Sequence, residues 1–212
     1  MTILAHNLSL RPALRLAVKA PAATLDRLIG LNLAAIQATT RDYLSSGNLD
    51  RWQREMERHL TTAHTAAYIA ATAERLNIPA DSPLISRNRL SRAEKADIRA
   101  AVDRQLTYLA GFVRDIESGK MSPAQIAARA NLYGPSIKAF YYAQRWGDWE
   151  IPGTLLPGNQ QCLSNCLCRL TGITDNGDGT GVLNRVMGGT EDHCSECPAL
   201  EGDHPIRRRR AA

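Results

Sequence analysis

The sequence predicts a mainly α-helical protein, an N-terminal helical bundle followed by a small cysteine-bearing β-hairpin module. Three observations predict it. Apolar residues recur at three- and four-residue steps through most of positions 22–147, the period of a helix with one buried face. Aromatics make up only 5% of the 212 residues while alanine is abundant, which suits helices packed through small side chains. All five cysteines lie between Cys162 and Cys197, in a short and turn-rich stretch.

The elements follow in chain order. Residues 1–21 lack periodicity and end at Pro21, and are read as an extended arm. From there to about Ser46, Leu25, Leu28, Ile29, Leu33 and Ile36 mark one helical face, and Ser45-Ser46-Gly47-Asn48 is a turn cluster. A second helix is predicted from about Leu49 to Leu76, with Trp52, Met56, Leu60, Ala63, Ala67 and Ala70 in one stripe. The alanines of its second half admit a neighbouring helix closely, which places that half in a bundle interior. His59 and His64 lie on or beside the stripe, but their spacing does not bring them together, so they are read as partly buried or surface histidines.

Pro79 and Pro83 make 77–90 a loop. Ser91-Arg-Ala-Glu94 is a capping box, in which serine and glutamate each satisfy an orphan backbone N–H. It opens a helix with the stripe Ile98, Val102, Leu106, Leu109, Val113 and Ile116, ending at Ser118-Gly119. Ser122-Pro123-Ala-Gln125 opens another, with proline at the first helical position. Gly134-Pro135 breaks it, and a short helix with Phe140, Tyr141 and Tyr142 runs on to Trp146. Residues 22–149 are thus read as one helical domain. It carries no glycine-rich phosphate loop and no nucleophile elbow, and HLTTAH (59–64) lacks the glutamate and the spacing of a zinc-protease motif.

Composition shifts at 150–160, where IPGTLLPGN is rich in proline and glycine and reads as a linker. In the module that follows (161–206), Asn176-Gly177-Asp178-Gly179 is a turn signal flanked by Leu170, Ile173, Val182, Leu183 and Val186, which is a β-hairpin pattern. The turn is acidic, yet it lacks the alternating oxygen ligands and closing glutamate of a calcium loop. Cys162, Cys166 and Cys168 precede the hairpin, and Cys194 and Cys197 follow it. Closing the hairpin joins the two clusters and builds a four-thiolate tetrahedral site, the logic of a zinc ribbon.

Five thiols compete for four positions. The expected ligands are Cys162, Cys166, Cys194 and Cys197, with Cys168 packed on the first strand as a small hydrophobe. The alternative puts Cys168 in place of Cys162 or Cys166. A structural zinc supplies the folding energy that so few large apolar residues cannot. The competing readings are disulfides and unligated thiols. The odd cysteine count and the absence of an evident signal peptide favour metal in a reducing cytosol. No paired histidine and amide or carboxylate points to a catalytic cysteine.

Hydrophobic residues are 44% and charged residues 22% of the chain, with a net charge of +5. Much of that charge is the run Arg207–Arg210, read with the rest of 207–212 as a solvated basic tail, or as a strap for an acidic partner or for DNA phosphates. Outside the run the chain is near neutral, which argues against a basic nucleic-acid module. No apolar stretch is long enough to span a bilayer.

The motif Cys194-Ser-Glu-Cys197-Pro-Ala-Leu200-Glu-Gly202, with His204-Pro205 after it, resembles the CxxCxxLxG segment of tailed-phage minor head proteins, the family typified by the head-morphogenesis protein of phage Mu. Asn165-Cys166-Leu167-Cys168 is similar to that family's NCxC signature, and here the two motifs occur in the opposite order. The helices also resemble a group of phage virion proteins, through the Trp52–Met56 segment, the segment Gln105 to Leu109, Gly119–Gln125 and Arg129–Tyr133. The resemblance implies a non-enzymatic virion protein of the minor capsid, portal or neck. It implies assembly in the host cytoplasm and contacts with coat, portal or tail-connector subunits, with possible contact to packaged DNA through the basic tail. The alternative reading is a nucleic-acid-binding regulator that uses a zinc ribbon and the basic tail.

Overall fold

In the computed structural model of the chain, residues 21–79, 82–85, 87–157, 159, 168–188 and 196–209 are described. The predicted arm lies outside the described residues except for Pro21, which opens the first helix.

Helix α1 spans Pro21–Ser46 and buries Leu25, Leu28 and Ile36. Its buried face also carries polar residues, each with a structural task. Asn32 donates from its amide to the carbonyls of Tyr133 and Gly134, at 3.2 and 3.0 Å, and Thr40 accepts from the Trp52 indole at 3.2 Å. These bonds satisfy groups that burial would otherwise leave orphaned.

Helix α2 (Leu49–Leu76) is capped by Asn48, whose side chain accepts from the Arg51 amide. It ends at Asn77 in the left-handed conformation, φ 51°, a C-terminal stop that asparagine tolerates. All six residues of the predicted stripe are buried, and from Ala66 to Ala73 burial extends around the whole helix. Helix α3 (Arg92–Glu117) and helix α4 (Pro123–Asn131) both start on the predicted capping boxes, Ser91 with Glu94 and Ser122 with Gln125. A 3-10 turn at Gly134–Ile137 replaces the helix at the Gly-Pro step, and α5 follows at Lys138–Arg145. Gly134 is needed there, because a Cβ would meet Leu33 Cβ at 3.0 Å.

The two largest buried clusters among the described residues follow from this packing. The first joins Ile36, Trp52, Met56, Leu60, Phe112, Ile126 and Tyr133. Within it Trp52 meets Phe112 edge-on, with centroids 5.3 Å apart. The second packs the alanines of α2 against Phe140, Tyr141 and Tyr142 of α5, and continues into the C-terminal sheet through Leu155, Leu156, Leu170, Leu183 and Ile206. The predicted linker and module therefore share one core with the helices. Leu155, Leu156 and Pro157 are buried rather than spacing two bodies apart.

The sheet has four antiparallel strands in the order β1-β4-β3-β2: β1 Trp149–Glu150, β2 Arg169–Asp175, β3 Thr180–Val186 and β4 Gly202–Arg208. The predicted hairpin is β2–β3. Strand β4 was not legible as a strand, because Ile206 is its one buried side chain. Its register pairs Arg207 with Glu150 on one side and Thr180 on the other, so the predicted solvated tail is in part a strand. The alternation on β3 decides which of its residues are buried. Gly181, Leu183 and Arg185 point inward, whereas Val186 is exposed.

Trp149 seats the sheet. A Cβ on Gly181 would lie 2.7 Å from its ring, and the Arg208 guanidinium stands 5.1 Å from the ring centroid. Arg208 also pairs with Asp175, and Arg169 of β2 pairs with Asp26 of α1 at 3.0 Å.

Two predictions follow from this packing. Gly181→Val should destabilise the fold by about 1–3 kcal/mol through overpacking. The loss should shrink in a Trp149→Ala background, as read by urea melts of the four variants of the cycle.

The second concerns His64, which is buried and bonds through Nδ1 to the Leu60 carbonyl at 2.8 Å. Burial is the main cause that lowers its pKa from 6.5, and Arg104 adds to it. The unfolded chain therefore binds the proton first, so His64 costs stability as pH falls below about 6.5. His59, shifted the same way by burial, adds to the slope. His64→Leu should flatten the loss of stability between about pH 7 and pH 5, measured as unfolding free energy against pH.

Candidate metal centre

Cys168 stands immediately before β2, and Cys197 heads the 3-10 turn Pro198–Leu200 that leads into β4. These strands flank β3 on its two sides, so the hairpin and the added strand bring residues distant in sequence to one end of the sheet. Gly202 makes the entry into β4 possible with φ 109°, a conformation that side chains disfavour. His204 steadies the same corner, its Nε2 lying 2.9 Å from the Leu200 carbonyl oxygen.

Both thiols are fully buried, with sulfurs 3.4 Å apart, and Met187 packs against them. That separation is far beyond a disulfide bond. It is close to the spacing of about 3.8 Å that a tetrahedral zinc with bonds of about 2.3 Å sets between two of its sulfurs. A small outward shift would seat a metal, so the pair fits two corners of a thiolate site.

Arg185 is the third member of the group. It is the third inward residue of β3, paired with Leu170 of β2 and Gly202 of β4. Its exposure is 0%, and its guanidinium lies 3.5 Å from the Cys197 carbonyl oxygen and 3.8 Å from the Cys197 sulfur. Among the described residues its Nε has no hydrogen-bond partner and no carboxylate pairs with it.

Of the expected ligands, Cys162, Cys166 and Cys194 lie outside the described residues. Among the described residues no group of three or more histidine, cysteine, aspartate or glutamate side chains could hold a metal. The structure thus brings Cys197 together with Cys168, the thiol expected to pack as a small hydrophobe.

The basic run is distributed differently from a free tail. Arg208 is engaged by Asp175 and Trp149. Arg209 donates its backbone N–H to the Asp148 carbonyl and its Nε to that of Trp149, at 2.8 and 3.2 Å. Arg207 is exposed, and Arg210 lies outside the described residues.

The acidic turn is a turn. Asp175 accepts from the Gly177 amide at 2.9 Å, and this bond, with Arg208 beside it, holds its carboxyl below the usual range. Asp178 accepts from the hydroxyl and the amide of Thr180, which lowers it likewise. Both carboxylates are spent on chain reversal. Elsewhere, an open cleft of about 400 Å³ is lined by Thr65, Arg87, Leu90, Lys95 and Ile98.

No protein-family model, curated protein or solved structure compared with this chain matches it.

If Cys168 and Cys197 serve one centre, their losses should not add. In zinc-supplemented, reducing buffer, Cys168→Ala and Cys197→Ala should each cost at least about 2 kcal/mol, and the double variant little more than either. Chemical unfolding of the four proteins checks this.

Proposed function

We propose that this chain is a non-enzymatic structural protein of a phage virion, a minor capsid, portal-associated or neck component, whose C-terminal sheet is stapled by zinc and makes contacts with other virion subunits. The observation that carries the stapled contact module is the buried sulfur pair, Cys168 with Cys197 at 3.4 Å, between the entries to β2 and β4. Metal ligation suits two thiols held in contact beside a buried cation better than packing alone does. The virion assignment rests on the resemblance of the CxxCxxLxG and NCxC segments and of the helical motifs to phage head proteins.

In this reading the ligands are Cys168, Cys194 and Cys197, with the fourth drawn from Cys162 or Cys166. That is the alternative set named from the sequence, and the placement of Cys168 supports it. When bound, zinc would supply crosslinking and no chemistry. Arg207, exposed on β4, is the described member of the basic run left to reach an acidic partner or nucleic acid. The commitments of Arg208 and Arg209 within the fold weaken the regulator reading.

The test is metal content and sedimentation. Protein purified under reducing conditions should contain about one zinc per chain, and in infected or reconstituted material it should travel with assembled particles. Absence of stoichiometric zinc would remove the staple. Salt-sensitive binding to free DNA, abolished by Arg207→Ala with Arg210→Ala and without particle association, would favour the regulator instead. Substitution is preferred to truncation at residue 206, which would cut β4.

A further inference from the structure

We propose that the open cleft between α2 and the start of α3 binds an amphipathic anion, a small molecule with one anionic head and a short apolar tail. The site lies away from the cysteine-bearing end of the sheet and is independent of the metal centre and of the virion reading.

Three pieces of chain line the cleft. Thr65 stands on α2, Lys95 and Ile98 on the first two turns of α3, and Arg87 and Leu90 on and just after the 3-10 turn Arg87–Arg89. Its volume of about 400 Å³ falls within the range of small-molecule sites, about 300–1,000 Å³. The lining has the two parts such a site needs. Leu90 and Ile98 belong to the buried cluster that holds the alanines of α2, and they give the cleft apolar surface. Arg87 and Lys95 are exposed and bring two positive charges to the same space.

Those charges are not neutralised within the fold. Among the described residues neither cation enters a salt bridge, and no carboxylate lines the cleft. Glu94, beside Lys95 in the chain, is committed elsewhere: its carboxylate accepts from the Tyr68 hydroxyl at 2.9 Å and from the Ser91 amide at 2.6 Å. The same capping box takes up the Glu94 amide, through the Ser91 hydroxyl at 3.2 Å. The partners left for an anion are therefore the two side chains and not the helix end. Thr65 donates its hydroxyl to the Thr61 carbonyl at 2.8 Å, so it has no donor left for the head group.

A guanidinium fork and a compact ammonium facing one cleft suit a single carboxylate or phosphate head, through charge-assisted hydrogen bonds. A bare inorganic ion would leave the Leu90 and Ile98 surface facing water. An attached apolar tail covers it, which adds binding free energy that the ion alone lacks.

Full-length protein is titrated with octanoate and with octyl phosphate, followed through the methyl resonances of Leu90 and Ile98. Acetate serves as the head-only probe and octanol as the tail-only probe. Expected is saturable movement of both sets of methyls by an octyl anion, with a Kd of about 1 mM or tighter and binding about 10-fold or more tighter than acetate or octanol. Either octyl anion supports the site, and the tighter of the two identifies the head group. Arg87→Gln and Lys95→Gln should each weaken binding about 3-fold or more, less so at high salt, with Tm unchanged. Arg114→Gln, roughly 24 Å along α3 from Ile98, should leave it unaltered. Octanol binding as tightly as the octyl anions would remove the anionic requirement and with it the proposal. Acetate binding as tightly would do the same for the apolar requirement. Unchanged affinity in the Arg87→Gln, Lys95→Gln double variant, or no saturable movement of either set of methyls, would overturn the site outright.

Discussion

The alanine-lined half of α2 governs how closely everything else can approach. From Ala63 to Ala73 the helix presents small residues, interrupted by His64, Tyr68 and Ile69, and it is buried nearly all round. Short side chains allow α5 to bring Phe140, Tyr141 and Tyr142 against it, and the same cluster receives Leu170, Leu183 and Ile206 from three strands. A larger residue at Ala67 or Ala71 would push away α5, and with it the strand that starts at Trp149. The small-residue face is thus what lets a sheet poor in large apolar residues hold a core at all.

Polar groups fix the direction in which that contact is made. The Tyr141 hydroxyl donates to Glu74 at 2.5 Å, Arg145 meets the same carboxylate at 3.0 Å, and Arg75 reaches Asp148 at 2.9 Å. Burial holds the Glu74 carboxyl above its ordinary range even with those partners present. The cluster orients α5 at the point where the chain leaves the helices for β1. Burial and Glu74 together push the Tyr141 hydroxyl far up, so it stays a donor throughout the working pH range.

Much of the helical part was legible because each boundary carries its own local chemistry. Ser91 with Glu94 and Ser122 with Gln125 announce helix starts, and Gly134-Pro135 announces a break. The hairpin was legible for the same reason, through Gly177 and Gly179 at positive φ. What escaped depends on neighbours distant in sequence. Strand β4 has no alternation to betray it and exists because β3 and β1 offer it hydrogen bonds. Arg185 hid for a related reason. Val182, Leu183 and Val186 draw attention as the apolar residues of the strand, yet register decides which face is buried, and it buries the arginine. The packing of Leu170, Leu183 and Ile206 against the helices was equally hidden, since no local pattern connects them.

The position of β4 bears on how the chain assembles as it is made. β2 and β3 can pair as soon as their short turn closes, yet β3 keeps an open edge until β4 has been synthesised and threaded between it and β1. Until then Gly181 has no neighbouring strand on that side, and the Trp149 ring, seated by the pairing of β1 with β4, has no fixed resting place. Completion of the sheet is therefore a late, long-range event, of the kind that slows folding and exposes strand edges to wrong partners. A nascent chain stalled before residue 202 would present that edge to any strand it met, including the same edge of a sister chain.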